Sequence, residues 1–371
     1  MYMAQGRQAV YDLLGNRVSW PPVVVPFGLD PWGWHGEQES YREVCSYALG
    51  HCTLFPKVYP LSAQLFAGES DIRLVTTTTT ERDSIIVRRH ELQGSPRPLG
   101  VEEVQTPGDS SWKNRKRWIA NDRDFECFLE LTDLAPAYPD VDAVRRKEQQ
   151  VGALGLPYVE VADPFVTVSE MFSTDEFYIK VRTDTGRIIR LLEITGKRIF
   201  AGIEALCRDA GCPFILRLIG GEMAVPPFLS RDDFILFEGD FYRRVADIAH
   251  RCRVPVAFHC HGPVRDIMDD IWRMGYNFIE PYEPEPRGNV TIREALECAQ
   301  GRGVVFGGID DVIFNTGTRA DVRDVVARCL DDARGTGLPF IFSQSATPFH
   351  DPLSPEASRN IMLFMEMGTR G

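Results

Sequence analysis

Short apolar runs alternate with longer segments of helical period over roughly residues 150–371. This alternation is typical of parallel strands joined by crossover helices. The predicted strands are 158–161, 214–219, 255–259, 277–280, 303–307 and 339–343. The predicted helices between and after them are, approximately, 186–210, 238–252, 264–275, 291–300, 320–334 and 355–367.

Two further strands are predicted near the start of the chain, at 23–27 and 54–58, with a helix near 37–50 between them. Eight strands of this kind predict an α/β fold, closed as a (β/α)8 barrel. The second and third strands are about 95 residues apart, far more than an ordinary connection. Two β-branched stretches around a polar turn in this interval predict a hairpin. We therefore predict a single barrel domain over 1–371 with an inserted β-rich subdomain, or lid, at 61–155.

The charge balance narrows the possible partners. The 371 residues include 41 Lys and Arg against 53 Asp and Glu, a net charge of −12. Such an acidic surface repels nucleic acid and anionic membranes, so a small-molecule substrate is the expected partner. The start of the chain lacks the layout of a secretion signal, and no apolar run approaches the ~18 residues of a membrane span. Nine cysteines without a C-x-x-C pair are expected to be reduced. The predicted location is the cytoplasm.

The most specific motif is His259-Cys260-His261 at the end of a predicted strand. Alternate residues of a strand point to the same side, so both imidazoles project together and Cys260 points away. The next strand ends at Glu280, and parallel strands lie ~4.8 Å apart. His259, His261 and Glu280 therefore predict an open site for zinc or another divalent metal. Glu283 is the alternative third ligand. The competing interpretation is hydrogen-bonded histidines beside solvated carboxylates.

Other strand ends supply further candidates. Glu222 is predicted as a catalytic base or as a residue that orients a histidine, although a plain loop carboxylate explains it equally well. Asp310 follows two glycines and is predicted to contact the ligand in a catalytic role. The predicted substrate-binding residues, from the first and last strand ends, are Phe27, Asp30, Trp32, Gln344, Ser345 and His350. Ordinary packing or helix capping is the alternative role for these side chains.

Four segments resemble the uroporphyrinogen decarboxylase superfamily, which includes the zinc-dependent methylcobamide:coenzyme M methyltransferases. They are 256–262, 275–281, 304–310 and the tail 343–360. The resemblance covers roughly residues 150–370 well and the first 60 residues weakly. It implies a barrel enzyme that either transfers a methyl group or removes a carboxyl group.

For the methyltransferase branch, the resemblance implies a zinc site built from a His-x-Cys pair, an acidic residue and a later cysteine. Here His259 matches the histidine, His261 stands in place of the cysteine, Glu280 matches the acid and Ser345 lies near the last cysteine. Both thiolates are lost, which leaves the identity of the metal open. The implied chemistry is activation of a thiol, or of an alcohol or water, to attack a methyl group carried by a corrinoid. A corrinoid protein is then an implied partner.

For the decarboxylase branch, the resemblance implies no metal and an arginine-rich loop after the first strand that binds the tetrapyrrole. This chain has Phe27-Gly28-Leu29-Asp30-Pro31-Trp32 there, and no arginine motif follows. Three hypotheses remain open. The first is a metal-dependent methyltransferase, the second a metal-free decarboxylase of the uroporphyrinogen type, and the third a non-catalytic barrel that binds a corrinoid or another ring.

Overall fold

The structure, a computed structural model, describes residues 5–61, 73–107, 112–131 and 138–370. The strands are β1 (Val23–Val24), β2 (Lys57–Val58), β3 (Arg73–Thr80), β4 (Ile86–Gln93), β5 (Leu99–Gln105), β6 (Lys113–Lys116), β7 (Tyr158–Ala162), β8 (Ile215–Ile219), β9 (Val256–His259), β10 (Phe278–Tyr282), β11 (Val304–Ile309) and β12 (Phe340–Gln344). The helices are α1 (Arg7–Leu14), α2 (Trp34–Glu37), α3 (Arg42–His51), α4 (Asp122–Glu130), α5 (Val141–Val151), α6 (Pro164–Ser169), α7 (Thr174–Thr183), α8 (Thr185–Asp209), α9 (Arg231–Arg251), α10 (Met268–Arg273), α11 (Ile292–Ala299), α12 (Ile313–Thr316), α13 (Arg319–Ala333) and α14 (Pro355–Arg370).

Eight strands form one curled parallel sheet in the order β1-β12-β11-β10-β9-β8-β7-β2. The α/β class predicted from the sequence is confirmed. The amide of Thr53, four residues before β2, donates to the carbonyl of Val24 on β1 at 2.9 Å. Within the sheet, Glu280 on β10 lies opposite His259 on β9. This register places the two candidate residues side by side.

The concave side of the sheet is filled by apolar side chains, as expected for strands buried on both faces. This core takes residues from seven of the eight strands of the sheet and from the segment just before β2. Its strand and strand-flanking members are Val23, Val25, Phe27, Phe55, Leu156, Tyr158, Ile215, Ala257, Phe278, Val304, Phe306 and Ile341. Because side chains alternate along a strand, the residue two positions after each of these also points inward.

Capping fixes where several crossover helices begin. Thr291 and Glu294 form a capping box at the start of α11, so that each side chain accepts from the other's backbone amide. Thr318 and Asp321 do the same at α13. A capping box satisfies amides that a helix start leaves without partners. Helices α11 and α13 therefore begin at defined positions after the strand ends.

The first two strands are shorter than predicted. The sequence predicts strands at 23–27 and 54–58, whereas β1 and β2 contain two residues each. Pro26 and Pro56 lack the amide that a strand ladder needs, so regular pairing stops beside them. The helix predicted near 37–50 is divided into α2 and α3, because Gln38 takes an extended conformation (φ −91°, ψ 123°).

The described chain separates into two compact units. The first contains residues 1–60, 140–161 and 207–371, and it includes the parallel sheet. The second contains 61–139 and 162–206. Residues 140–155 of the predicted insertion at 61–155 belong to the first unit, and residues 162–206, which follow it, belong to the second. Residues 62–72, 108–111 and 132–137 of the predicted insertion lie outside the described residues.

The second unit contains a four-stranded antiparallel sheet in the order β3-β4-β5-β6. Thr80 pairs with Ile86 at the turn between β3 and β4, where the sequence predicts a hairpin. Strands β5 and β6 continue the sheet and were not predicted. Over the described residues, no helix combines the length and the apolar character needed to cross a bilayer.

Candidate functional site

A layer of polar side chains lies immediately beyond the apolar core, at the carboxyl ends of the parallel strands. Each member follows a core residue by two positions and therefore faces inward; for Lys57 that core residue, Phe55, lies just before the strand. We call this set the polar layer. Its members are Lys57, Glu160, Arg217, His259 and Glu280. Reactive groups of barrel-type sheets are found at this end.

Arg217 connects the polar layer. Its Nε donates to Glu280 Oε1 at 2.5 Å, and its Nη2 donates to His259 Nδ1 at 2.6 Å. Its Nη1 donates to Glu160. The guanidinium also lies 4.8 Å from the centroid of the Phe27 ring. One arginine therefore fixes two carboxylates and an imidazole at once, which a planar fork of donors allows.

These charges are buried and mutually compensated. The side chains of Arg217, Glu160 and Glu280 are at most 4% exposed. Burial raises the pKa of Glu280, but the charge of Arg217 and the contact with His259 outweigh it and lower that pKa to about 2. Glu280 is therefore an anion at neutral pH, held as the partner of Arg217.

His259 is neutral at physiological pH. Burial and the charge of Arg217 lower its pKa to about 4. Its Nδ1 lies 2.6 Å from Arg217 Nη2 and 3.1 Å from Glu280 Oε2. Because a guanidinium only donates and makes the shorter contact, we assign Nδ1 as the acceptor and the ring proton to Nε2. The Phe27 ring stacks on the imidazole with centroids 6.0 Å apart and an interplanar angle of 9°.

His261 lies beside His259 but in a different environment. The ring centroids are 4.6 Å apart, and the planes are nearly perpendicular at 86°. Glu283 Oε1 lies 3.1 Å from His261 Nδ1, and Glu283 Oε2 accepts from the amide of Gly262 at 2.8 Å. Burial lowers the pKa of His261, but the hydrogen bond and charge of Glu283, together with the charge of Glu222, raise it overall. The side chain is 34% exposed, so it can exchange protons with a substrate.

The metal site predicted from His259, His261 and Glu280 does not fit the contacts of these residues. Both oxygens of Glu280 contact the Arg217 guanidinium, at 2.5 and 3.4 Å. A cation bound there would meet this fixed positive charge in a buried, weakly screened position. Among the described residues, no group of three or more His, Cys, Asp or Glu side chains has the arrangement of a metal site. Arg217 supplies the positive charge that the prediction assigned to a metal.

The two predicted catalytic acids occupy different settings. Glu222 lies near His261 and contributes to its raised pKa. Its Oε2 is buried without a hydrogen-bond partner among the described residues, which leaves it available to a ligand. Asp310 Oδ1 accepts from the amide of Val312 at 3.1 Å and lies 3.4 Å from Arg287. Its contacts are therefore those of a residue that fixes a turn.

The predicted substrate-binding residues at the end of the first strand lie in two different places. Phe27 stacks on His259 and belongs to the site. Asp30 forms an ion pair with Lys147 at 2.8 Å and accepts from the amide of Trp32 at 3.0 Å. Asp30 and Trp32 thus belong to a local cluster with Lys147.

Of the predicted binding residues at the end of the last strand, Gln344 and Ser345 form hydrogen bonds with other parts of the chain, and His350 is exposed. The side-chain amide of Gln344 donates to the carbonyl of Phe27 and accepts from its amide, both at 3.1 Å. Gln344 therefore joins the first and last strands. Ser345 Oγ donates to Asp311 at 3.0 Å, and His350 is exposed.

Three members of the polar layer were not identified from the sequence: Lys57, Glu160 and Arg217. Each lies inside a strand that the sequence predicts. The available signal was a charge at an inward position, two residues after an apolar core residue such as Tyr158 or Ile215. A charged side chain is rarely buried unless it is paired, so several such positions at one strand end indicate an ion cluster.

The pKa shifts predict an acid-sensitive fold. Folding lowers the pKa of His259 to about 4 and that of Glu280 to about 2, so below their ordinary values the unfolded chain binds more protons. Stability is therefore lost as the pH falls, through His259 between about pH 6.5 and 4 and through Glu280 between about pH 4.5 and 2. The His259 contribution is on the order of 3 kcal/mol.

Urea unfolding of the wild type and of His259→Asn between pH 7 and 4 measures this contribution. The variant is expected to lose less stability than the wild type over that interval. Equal losses would show that His259 is not kept neutral by folding.

The family model for uroporphyrinogen decarboxylase (URO-D) matches residues 140–355, more than half of the chain. Among solved structures, a methyltransferase from Methanosarcina mazei is similar over 97% of both chains, with a TM-score of 0.57 and 13% identity. A Cellulomonas fimi endo-beta-1,4-mannanase double mutant matches 66% of this chain and 58% of its own, with a TM-score of 0.34 and 12% identity. No curated protein matches the chain. With the family model matching most of the sheet-forming sequence, the chain belongs to the uroporphyrinogen decarboxylase family.

Proposed function

We propose that this protein is a metal-independent decarboxylase that acts on a small carboxylate substrate, with His261 as the proton donor. The observation that supports it most is the position of Arg217, which donates to both Glu280 and His259. These paired charges form a preorganised polar layer that needs no metal ion to hold it together.

Proton donation is the second part of the proposal. Loss of carbon dioxide leaves an electron pair on the neighbouring carbon, and that carbon must be protonated. His261 suits this role because Glu283 holds its Nδ1 and its pKa is raised. The proton leaves from Nε2, since Nδ1 faces Glu283. His259 is neutral and His261 is more basic, so the two imidazoles can take different roles.

The charges also favour a small substrate over a porphyrinogen with many carboxylates. Three cationic side chains near the carboxyl end of the sheet are already paired with carboxylates of the chain: Lys147, Arg217 and Arg287. The loop after β1 also lacks the arginine motif that the resemblance associates with tetrapyrrole binding.

Methyl transfer is the second candidate, because the fold of a Methanosarcina mazei methyltransferase matches nearly the whole chain. In that case a corrinoid would carry the methyl group and a thiol would accept it. A thiol needs a base or a metal to lose its proton at neutral pH. With a pKa of about 4, His259 is a weak base, and the predicted metal ligands do not fit. A ring-binding barrel without turnover is the third candidate.

Two further parts of the proposal concern architecture and location. We take the curled sheet to be a closed (β/α)8 barrel, supported by the bond from Thr53 to Val24. The inserted subdomain at 61–155 remains a prediction. A cytoplasmic location is supported by nine free cysteines, which suit a reducing compartment.

The proposal is tested with protein purified in EDTA and offered carboxyl-labelled β-oxo, aromatic and pyrrole carboxylates. Labelled carbon dioxide is expected from at least one substrate, at a rate that EDTA or added zinc, iron or cobalt leaves unchanged. The same protein is offered methylcobalamin and a thiol. Demethylation of methylcobalamin without any carbon dioxide release, or release that requires an added metal, would contradict the proposal.

A further inference from the structure

Lys57 differs from the rest of the polar layer in its access to solvent. Its side chain is 22% exposed, whereas those of Glu160, Arg217, His259 and Glu280 are at most 8% exposed. The amino group lies 4.8 Å from the centroid of the Phe27 ring. It is therefore an inward-facing amine at a strand end that a substrate can reach.

The surroundings of Lys57 do not favour a permanently charged ammonium group. Its contact with Glu160 is long, at 3.5 Å, and that carboxylate also accepts from Arg217. For comparison, Lys147 has its own carboxylate, Asp30, at 2.8 Å. Burial and the charge of Arg217 lower the pKa of Lys57 to about 8, so roughly a tenth of the amine is neutral at pH 7.

We propose that Lys57 is a nucleophile whose Nζ forms an imine with the carbonyl carbon of a β-oxo acid, so that the imine accepts the electrons released with the carboxyl group. The inference rests on the proposed function and names its substrate class. Its basis is geometric: a reachable amine lies beside a fixed cation and within 3.5 Å of a carboxylate that can take its proton. A lysine close to a second cation is a known arrangement for amine nucleophiles.

The steps balance without an oxidant or a metal. Glu160 takes a proton from the ammonium, and the neutral Nζ attacks the carbonyl carbon. One amine hydrogen and the proton returned by Glu160 leave with the carbonyl oxygen as water, which gives a protonated imine. The bond to the carboxylate then breaks, its electron pair moves toward the imine nitrogen, and carbon dioxide leaves an enamine.

His261 protonates the enamine carbon in this scheme. Water then cleaves the imine, which returns the amine of Lys57 and releases a ketone. The water lost in imine formation is regained in this hydrolysis. In sum, a β-oxo acid and one proton give a ketone and carbon dioxide.

The test uses the full chain, acetoacetate and sodium borohydride, which reduces an imine to a stable amine. Peptide mapping by mass spectrometry is expected to find the reduced adduct on Lys57 only when acetoacetate is present. Lys147→Arg, the matched control, is expected to keep the adduct. Lys57→Arg retains the charge but cannot form an imine, and it is expected to lose the adduct and at least about tenfold of the carbon dioxide release.

The outcomes separate the two proposals. Carbon dioxide release from acetoacetate with no adduct on Lys57 of the wild type overturns the imine and leaves decarboxylation standing. An adduct on Lys57 without release from any substrate supports the nucleophile and overturns decarboxylation. Because the mapping is done on the wild type, the first result does not depend on whether Lys57→Arg folds.

Discussion

Replacing Arg217 with methionine is expected to lower the free energy of unfolding by about 3–5 kcal/mol. Methionine fills much of the space but removes the guanidinium, so the buried carboxylates of Glu160 and Glu280 lose their cation. A buried charge left without its partner keeps the full cost of its desolvation. Urea unfolding of the wild type and the variant at pH 7 measures the difference.

Arg231→Met is the matched control for this variant. Arg231 donates to Asp270 at 2.7 and 2.8 Å, but its side chain is 48% exposed. Exposed pairs of this kind contribute at most about 1 kcal/mol. A triple variant that combines R217M with E160Q and E280Q is expected to regain part of the lost stability, because the uncompensated charges are gone. Equal losses in R217M and R231M would contradict the central role of Arg217.

His261→Gln is expected to lower kcat for decarboxylation about 100-fold or more, with a smaller change in KM. The variant keeps a polar side chain but cannot deliver a proton to the substrate carbon. His261 acts in its protonated form, and its pKa is raised. The wild-type kcat should therefore fall as the pH rises through that pKa, and the variant should lack this decline. Carbon dioxide release between pH 5 and 9 records both effects.

His51→Gln is the control for the histidine variant. His51 is exposed at the end of α3, and its Nδ1 contacts the carbonyl of Tyr47 in the same helix. The His51→Gln variant is expected to keep the wild-type kcat for decarboxylation. If His261→Gln retained both the wild-type kcat and the decline at high pH, another group would have to be the proton donor.

The later strands were predicted closely, and the reason is physical. Strands β7 to β12 of the parallel sheet are buried on both faces, so each appears in the sequence as a compact apolar run. The first two predicted strands, 23–27 and 54–58, are also rich in apolar residues, but they contain Pro26 and Pro56. The pairing of β1 also depends on a distant partner, β12. Apolar character alone does not tell where such pairing stops.

The candidate site was predicted in part. His259, His261 and Glu280 do lie together, because adjacent parallel strands end at the same edge. Their chemistry could not be predicted, since it depends on Arg217, which is 42 residues from His259 and 63 from Glu280 along the chain. The alternation of side chains along a strand predicts that an arginine faces inward, but it does not predict which carboxylates the arginine contacts. The sequence predicts a metal from His259, His261 and Glu280 alone, without the charge of Arg217 beside them.

The forked guanidinium of Arg217 limits which residues can replace it in this chain. A lysine at this point of the fourth parallel strand would offer one ammonium where three separate acceptors now receive donors, so the exchange would not be conservative. We therefore expect Arg217→Lys to keep a positive charge at this position but to lose the simultaneous contacts with Glu160, Glu280 and His259.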